Sequence, residues 1–386
     1  MLVRDGNERY MMNVKRVVAS LLVMVLLCGC TPKETDPVTE ESGTSDTSSS
    51  VTDSSEQPSS ESTSETVAVN DTTPPMILSA NSSVKLNVGD LFDPNEYISY
   101  IDDYDRNPVL SLETPVDTTV AGKYETKIII TDSSGNSVSK KLTVKVIGDG
   151  YDGKTTPTPT PEGFVPSPTP TPAPKHLDFA DFVNRYKGDG VEFGIDVSKW
   201  QGDVDYEQVK AAGCTFVIIR AGVYYKGEFS FDSKFEQNLQ NAKAAGLKVG
   251  LYFFTPITSE EVLRENVDKI CNALNGVELE LPIAYDMETW GKMQQYNINL
   301  NDLNGLFYAF CEQVESHGYK AMMYNSKNKL ETVWDSKGYP VWLAHYTKQT
   351  SYEGDYFMWQ VNNTGRIPGI KGDVDLNLLY PDRYKE

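Results

Sequence analysis

The pattern of apolar and polar positions first becomes regular in residues 74–148. Short runs such as "KYETKIIITD" and "SVSKKLTVKV" alternate apolar and polar residues, and turn signals such as "DSSGNS" separate them. Alternation with a period of two is typical of antiparallel strands that bury one face. These residues are therefore predicted to form a small, separate all-β sandwich.

From residue 190 to residue 386 the pattern changes to apolar strands separated by helical stretches. The predicted strands are 192–198, 215–222, 248–254, 281–288, 320–325, 340–346, 356–361 and 374–379. The predicted helices are 205–213, 233–246, 259–274 and 300–318. Strands that are apolar throughout, with helices between them, indicate a parallel sheet covered on its faces. We expect an α/β fold, a compact TIM-like barrel whose second half has little room for helices.

The amino-terminal residues have the features of an export signal. Lys15 and Arg16 precede an apolar run that is too short to span a bilayer and ends in "LCGC". This ending resembles the bacterial lipobox, so residues 1–29 are interpreted as a lipoprotein signal peptide, with cleavage after Gly29 and lipidation of Cys30. The alternative is plain secretion. The interpretation predicts a chain anchored by lipid to the extracellular face of the bacterial cell membrane, reaching into the cell wall.

Two segments have compositions that do not favour a packed core. Residues 30–73 contain ten acidic residues, one lysine and no aromatic residue, which predicts a disordered, extended tether. Residues 149–189 contain alternating proline and threonine in "TPTPTPEGFVPSPTPTPAP", which predicts a stiff linker between the sandwich and the barrel.

Charge and composition exclude several classes of function. The 386 residues carry 55 acidic against 35 basic side chains, a net charge of -20, which argues against nucleic acid as a partner. Three histidines are few for a zinc hydrolase or a Cys-His peptidase, so no metal or cofactor is expected. Asp102, Asp103 and Asp105 could bind calcium, but a solvated acidic loop is the favoured interpretation.

Cysteine usage gives no sign of a disulfide framework. If Cys28 leaves with the signal peptide and Cys30 carries lipid, Cys214, Cys271 and Cys311 remain, which is an odd number. Each lies among apolar residues and is expected to be a small core residue.

The stretch "LPIAYDMETW" carries the chemistry. Working residues of β/α barrels gather at the carboxyl ends of the strands, and residues i and i+2 of a strand lie on one side, roughly 7 Å apart. Asp286 and Glu288 should therefore face one pocket, where like charges raise one pKa. A protonated acid beside an ionised one is what glycosidic cleavage requires. Taken alone, an Asp-x-Glu sequence at the end of a strand more commonly supplies solvated acids or a helix cap than a catalytic pair.

Acids and aromatic residues recur at other strand ends, and this favours catalysis. Asp196 ends the first strand and Asp375 lies in the last, and both are candidate catalytic residues. Eight side chains are candidates for binding the substrate, because aromatic faces can stack on sugar rings: Trp200, Tyr252, Tyr285, Tyr324, Trp342, Tyr346, Trp359 and Gln360.

Several motifs, in order, resemble a known family. The stretches "FGIDVSKWQGDVDYEQVKAAGCTFVIIRAG", "LPIAYDME", "VWLAHY", "MWQV" and "GDVDLNLL" are similar to the lysozymes of glycoside hydrolase family 25, the Chalaropsis-type N-acetylmuramidases. The resemblance covers roughly residues 190–381. It implies a modified (β/α)5(β)3 barrel and hydrolysis of the β-1,4 bond between N-acetylmuramic acid and N-acetylglucosamine.

The same resemblance implies roles for four residues. Glu288 matches the proton donor of the family and Asp286 its partner carboxylate, while Asp196 and Asp375 match two further active-site aspartates. The chain departs from the family after the third strand, where Tyr252 and two phenylalanines stand in place of a histidine among aromatics. Residues 74–148 in turn resemble bacterial immunoglobulin-like modules of surface proteins.

Two other functions stay open at this point. The chain could be a surface lipoprotein that binds peptidoglycan without cutting it, although the intact acids argue against this. It could also be a chitinase-like glycosidase, although "PIAYDME" lacks the longer acidic motif D-x-x-D-x-D-x-E of those enzymes. The expected partners are glycan strands of peptidoglycan and, through the lipid, the membrane; we expect a monomer.

Overall fold

The computed structural model describes residues 71–148 and 176–384 of the chain. The predicted signal peptide, the lipidation site at Cys30, nearly all of the tether and residues 149–175 of the linker lie outside the described residues. Within the described ranges, no helix combines the length and apolarity needed to cross a membrane.

Residues 76–147 form two small sheets that share one core. Their strands are β1 (Met76–Ala80), β2 (Ser83–Asn87), β3 (Ile98–Ile101), β4 (Val109–Leu112), β5 (Gly122–Thr131) and β6 (Ser137–Ile147). Strands β1 and β3 pair antiparallel, while the second sheet has the order β2-β6-β5-β4, with β2 and β6 parallel. Buried side chains from both sheets, among them Leu86, Tyr100, Ile128 and Val144, form the core. We call this part the amino-terminal module.

The remaining strands form a closed sheet. They are β7 (Leu177–Asp178), β8 (Glu192–Val197), β9 (Phe216–Tyr225), β10 (Glu228–Phe231), β11 (Lys248–Phe254), β12 (Ile283–Asp286), β13 (Ala321–Ser326), β14 (Val341–Ala344), β15 (Met358–Arg366) and β16 (Val374–Leu379). The order β9-β11-β12-β13-β14-β15-β16-β8 closes through the pairing of β8 with β9. Only β16 runs antiparallel to both of its neighbours in the ring. The predicted α/β class with a barrel-like sheet is confirmed.

Among the described residues, six helices accompany this sheet: α1 (Phe179–Tyr186), α2 (Tyr206–Ala211), α3 (Phe235–Ala244), α4 (Glu260–Leu274), α5 (Leu300–Ser316) and α6 (Lys327–Thr332). The longest, α5, begins at a capping box in which the Asn299 and Asp302 side chains each accept a hydrogen bond from the other's backbone N–H. Helices α4 and α5 bury one side each against the sheet, as their apolar spacing requires.

Side chains alternate between the inside of the barrel and the layer beneath the helices. The inside is filled by a cluster that includes Phe216, Ile218, Ala284 and Trp342. Gly194 is needed there, because a Cβ atom on it would lie 2.5 Å from the ring of Phe216. The barrel is thus a packed core, and polar chemistry is confined to its mouth.

The barrel begins earlier than the sequence predicted. Residues 177–186, which were assigned to the linker, form β7 and α1. Strand β7 pairs with β15, and Phe179 and Phe182 on α1 are buried in the main core. The boundary at residue 190 is wrong because the proline-rich pattern ends before these apolar residues begin.

The amino-terminal module lies directly on the barrel. The buried hydroxyl of Ser99 accepts a hydrogen bond of 3.0 Å from the backbone N–H of Met293, in the loop after β12. Ile101 belongs to the main core of the barrel. The guanidinium of Arg106 makes two hydrogen bonds of 2.7 Å to the carboxylate of Asp302 on α5. The module therefore supports the segment that follows the strand carrying Asp286.

Candidate active site

Three strands bring acidic side chains to one mouth of the barrel. Strands β8 and β12 are parallel members of the ring, and Asp196 and Asp286 lie at or next to their carboxyl ends. Strand β16 runs the other way, so Asp375, near its start, pairs directly with Asp196. Glu288 follows Asp286 in the chain. Closure of the ring thus brings the four predicted acids together. They are close enough that the charges of some of them shift the pKa values of others.

Asp196 is the most firmly held of the four. Its Oδ2 atom accepts a hydrogen bond of 2.8 Å from the Gln360 side-chain amide and another of 2.8 Å from that of Asn377. The side chain is 5% exposed. Burial raises its pKa, but these two amides and a hydrogen bond with Asp375 oppose the shift because they stabilise the ionised form.

Asp375 is the partner that holds a proton. Burial raises its pKa well above the usual range, and the negative charge and hydrogen bond of Asp196 raise it further. Two carboxyl groups can share a hydrogen bond only if one of them donates. Asp196 already accepts hydrogen bonds from two side-chain amides, which favour its ionised form, so we assign the shared proton to Asp375.

Asp286 is buried at the end of β12. It is 3% exposed, and its Oδ1 atom makes no hydrogen bond to any described residue. Burial, followed by the charges of Glu288 and Asp196, raises its pKa well above the usual range. The Arg220 guanidinium acts in the opposite direction and favours the ionised form. This carboxyl group is therefore the one of the Asp286–Glu288 pair that has a cation near it.

Glu288 lies beyond the strand. The predicted strand 281–288 is too long, because β12 ends at Asp286 and Glu288 stands in the following loop. Residue 288 as a whole is exposed at the mouth, yet protein atoms crowd its carboxyl group. This partial loss of solvent, with the Asp196 charge second, raises the pKa of Glu288 to about 7. The Asn325 side-chain amide donates a hydrogen bond of 2.7 Å to the carbonyl of Met287, which fixes the backbone between the two acids.

A buried ion pair borders the acids. Arg220 on β9 contacts Asp232 with an N–O distance of 2.6 Å, and the Asp232 side chain is fully buried. The same carboxylate accepts a hydrogen bond from the backbone N–H of Lys199, next to Trp200. Removing either partner of such a pair leaves a buried charge unpaired. The pair ties the loop that carries Trp200 to the sheet.

Five of the eight predicted substrate-binding residues lie around the acids or at the mouth. The hydroxyl groups of Tyr324 and Tyr346 each donate a hydrogen bond of 2.9 Å to Oε1 of Gln360, whose amide holds Asp196. Tyr346 is 53% exposed and Trp200 is 61% exposed, so both offer aromatic surface to solvent. Tyr252 is half-buried. Burial raises the pKa of its hydroxyl group, and the positive charge of Arg220 opposes this rise.

The prediction of a sugar contact is wrong for Tyr285 and Trp359. Tyr285 on β12 and Trp359 on β15 each lie next to residues whose side chains point into the barrel. Because side chains alternate along a strand, these two point outward, beneath the helices. Tyr285 is 0% exposed and packs against Phe307 and Phe310 of α5. Trp359 is 4% exposed and donates a hydrogen bond to the carbonyl of His345.

Trp342 points inward but too deep to meet a sugar. It is 1% exposed inside the barrel, and its indole N–H donates a hydrogen bond of 2.8 Å to Asn377. The prediction that Trp342 lines the cleft is wrong because the strand continues two residues further towards the mouth, to Ala344. Its role is to hold Asn377, which in turn holds Asp196.

Three polar residues of this site were missed by the sequence analysis: Arg220, Asn325 and Asn377. Arg220 and Asn377 interrupt apolar strands at the inward-pointing parity, which was the available signal. Asn325 has the outward parity of Met323 on the same strand, so its position in the strand gave no signal. The predicted core cysteines Cys214, Cys271 and Cys311 are all buried and free. Burial raises the pKa of Cys214 to about 12, which removes it as a nucleophile.

Comparison with known proteins places this barrel in a family. Residues 195–370 match the glycosyl hydrolases family 25. The chain is 27% identical over 190 residues to an autolytic lysozyme of Clostridium acetobutylicum, covering 48% of this chain and 54% of that protein. It is 30% identical over 201 residues to lysozyme M1 of Streptomyces globisporus, covering 48% of this chain and 66% of that protein. The chain thus spans less than two thirds of either relative.

Solved structures show the same similarity at lower identity. A family 25 glycosyl hydrolase from Bacillus anthracis is 23% identical, with a TM-score of 0.41, over 50% of this chain and 92% of that one. A bacterial lysozyme from Streptomyces coelicolor is 24% identical, with a TM-score of 0.40, over 48% of this chain and 90% of that one. From the match of its sequence, the segment 195–370 is a domain of the glycosyl hydrolases family 25.

Proposed function

We propose that the protein is a peptidoglycan hydrolase that cleaves the β-1,4 bond between N-acetylmuramic acid and N-acetylglucosamine. The observation that carries the proposal is the position and the raised pKa of the Glu288 carboxyl group in a family 25 domain. This carboxyl group stands at the mouth of the barrel, two residues after a buried carboxyl group, with a pKa raised to about 7. It can therefore hold a proton at neutral pH and still meet a substrate.

Glu288 acts as the general acid. Burial is the largest cause of the raised pKa of both Glu288 and Asp286, so the two carboxyl groups titrate as a unit that holds a proton near neutral pH. We assign the proton to Glu288 because it stands at the mouth, where a substrate can reach it, and the charge to Asp286 because it is buried deeper and has the Arg220 cation near it. Glu288 gives its proton to the leaving oxygen as the glycosidic bond breaks, which leaves Glu288 ionised.

Asp286 stabilises the charge that develops on the sugar. A negative group held in a buried site, with little freedom to move, stabilises a positive transition state more strongly than water does. Asp286 either does this directly or orients the acetamido group of the substrate as an internal nucleophile. Asp196 and Asp375 set the charge state of the Asp286–Glu288 pair and hold its geometry. Trp200, Tyr252, Tyr324 and Tyr346, with Gln360, line the sugar cleft.

The finer architecture and the location form part of the proposal. The seven successive parallel strands and the antiparallel β16 support a modified TIM-like barrel of the (β/α)5(β)3 type. The two-sheet arrangement of residues 76–147 supports an immunoglobulin-like module. The "LCGC" sequence supports a signal peptide over residues 1–29 and a lipid anchor at Cys30, on the extracellular face of a bacterial membrane. Such an anchor would hold the enzyme next to the wall of the cell that makes it.

Product analysis tests the activity. Purified cell walls are digested with the full chain, the soluble fragments are reduced, and their ends are identified by mass spectrometry. We expect muramic acid at the new reducing ends. Reducing ends of N-acetylglucosamine would favour a chitinase-like cleavage and overturn the assigned bond. Binding to the walls with no soluble fragments would identify a protein that binds peptidoglycan without cutting it.

A further inference from the structure

The loop after β3 is held against the barrel by its backbone. The carbonyl of Asp102 accepts a hydrogen bond of 2.8 Å from the N–H of Leu300, and that of Asp103 accepts one of 2.7 Å from the Asn301 side chain. The carbonyl of Tyr104 accepts a third, of 2.8 Å, from the Asn299 side chain. The loop is therefore fixed at the start of α5, and its side chains are held in place.

The carboxyl groups of this loop meet a third one from the start of the module. One oxygen each of Asp71, Asp102 and Asp103 lie within 4.8 Å of one another. In the described part of the chain, no other group of three or more acids, histidines or cysteines is as close. Asp71 lies in the segment that leads into β1, so the cluster joins two segments of the module at the surface that faces the barrel.

Asp102 points a buried, unpaired oxygen into this cluster. The residue is 1% exposed. Its Oδ1 atom accepts hydrogen bonds from the backbone N–H groups of Tyr104 and Asp105, at 2.9 Å and 2.6 Å. Its Oδ2 atom is buried and accepts no hydrogen bond from any described residue, and the same is true of Oδ1 of Asp103. A bound ion or an ordered water is a common partner for buried oxygens that lack a protein donor.

The charges in the cluster need compensation. Asp102 is buried beside the carboxyl groups of Asp71 and Asp103, so water screens the repulsion between their charges poorly. Arg106, the nearest basic residue in the sequence of the loop, is engaged with Asp302. An acidic cluster of this kind is stabilised either by protons or by a bound cation, and at neutral pH a cation is the effective partner.

We propose that Asp71, Asp102 and Asp103 bind one divalent cation, of the size and ligand preference of calcium. Calcium–oxygen distances are about 2.3–2.6 Å, so one ion can touch oxygens that lie up to about 5 Å apart. All three side-chain pairs meet this limit. Calcium takes 6–8 oxygen ligands, so water would supply the others; an open cleft lined by Asp71, Asp105 and Asn299 borders the cluster at Asp71.

The proposed site differs from the set of Asp102, Asp103 and Asp105 that the sequence analysis considered. Asp105 is not one of the three carboxyl groups that lie within 4.8 Å of one another, and its two oxygens accept backbone hydrogen bonds from Asn107 and Ser133. Asp71 takes its place. The ion would fasten the start of the module to the loop that contacts α5, and so stiffen the support beneath the segment that follows β12.

Calcium titration of the full chain tests the proposal. The protein is stripped with EDTA, dialysed, and titrated with CaCl₂ in a calorimeter, with thermal unfolding recorded with and without the ion. We expect one site per chain, with a dissociation constant on the order of 10⁻⁴–10⁻³ M as in extracellular calcium modules, and a higher melting temperature in calcium. Magnesium should bind at least about tenfold more weakly, because it requires a tighter octahedral shell.

Variants assign the site. Asp102→Asn combined with Asp103→Asn should weaken calcium binding at least about tenfold and abolish the rise in melting temperature. Asp117→Asn, an exposed acid of the same module, removes one charge and should change neither. If the double variant does not fold, Asp71→Asn, which lies outside every strand, must show the loss of binding with unchanged circular dichroism. Absence of saturable calcium binding, equal affinity for magnesium, or wild-type affinity in a folded ligand variant would overturn the proposal.

Discussion

Asp196 on β8 and Asp375 on β16 lie directly opposite each other across an antiparallel strand pair, and their carboxyl groups are hydrogen-bonded. Because Asp375 donates the proton, Asp196 keeps its negative charge at the mouth of the barrel. That charge is the second cause of the raised pKa of Glu288. The Asp196–Asp375 pair therefore influences the protonation of Glu288, which lies in the loop after β12.

Asp196→Asn should lower the pKa of Glu288 and weaken its ability to hold a proton. Asparagine can still offer an oxygen to Gln360 and Asn377, so the fold is kept while the charge is lost. With less negative charge nearby, Glu288 ionises at lower pH. The alkaline limb of the activity profile should therefore move to lower pH, in addition to any loss of rate, as measured by cell-wall turbidity between pH 5 and about pH 9.

The matched control for this charge change is Asp203→Asn. Asp203 is an exposed acid paired with Lys234 on the surface. Its loss should leave the alkaline limb where it is in the wild type. An unshifted limb in Asp196→Asn would show that Asp196 does not set the pKa of the general acid.

The wild-type enzyme should lose activity as the pH rises through about 7, where Glu288 ionises. The protonated form is the active form, so the rate is retained below this pKa and falls about tenfold per pH unit well above it. Initial rates of wall lysis at constant ionic strength measure this. A rate that stays constant up to pH 9, about two units above that pKa, would be incompatible with Glu288 as the proton donor.

Tyr285→Phe should leave activity unchanged and raise stability slightly. The hydroxyl group of Tyr285 is buried and has no hydrogen-bond partner among the described residues, so its removal ends a desolvation cost. We expect a gain of up to about 1 kcal/mol in the free energy of unfolding, measured by urea denaturation. If Tyr285 bound the substrate through its hydroxyl group, activity would fall instead.

Trp200→Ala and Trp359→Ala should have opposite consequences. Trp200 is exposed at the mouth, so its loss should raise the half-saturating concentration of cell walls and change stability by no more than about 0.5 kcal/mol. Trp359 is buried in the core, so its loss should cost about 3–5 kcal/mol of stability. Wall-binding and urea-denaturation curves on both variants separate a contact with sugar from a packing role. Equal effects of the two substitutions on stability would contradict the positions of the side chains.

Much of the barrel follows from local pattern. The predicted strands at 192–198, 248–254 and 374–379 agree with β8, β11 and β16 to within a residue, because long apolar runs between turn signals are strong evidence of strands. The meeting of Asp196 and Asp286 at one mouth followed from closure of a parallel sheet. These inferences needed only chain order and the period of apolar residues.

The rest depends on which face each side chain takes. Side chains on the strands that carry Tyr285 and Trp359 point alternately inward and outward. Only the registers of the strands show which aromatic residues point inward. Contacts between distant segments, such as Arg220 with Asp232 or Ser99 with Met293, leave no periodic signal. The end of β12 before Glu288 is likewise set by tertiary contacts, among them the hydrogen bond of Asn325 to Met287.

The most direct measurement compares lysis of purified cell walls by the wild type, Glu288→Gln and Glu278→Gln. Glutamine keeps the size of the side chain but cannot donate the proton, so Glu288→Gln should be about 10²–10⁴-fold slower with unchanged circular dichroism. Glu278 is an exposed glutamate outside the mouth, and its variant should lyse walls at the wild-type rate. A near-normal rate for folded Glu288→Gln would contradict the assignment of Glu288 as the general acid.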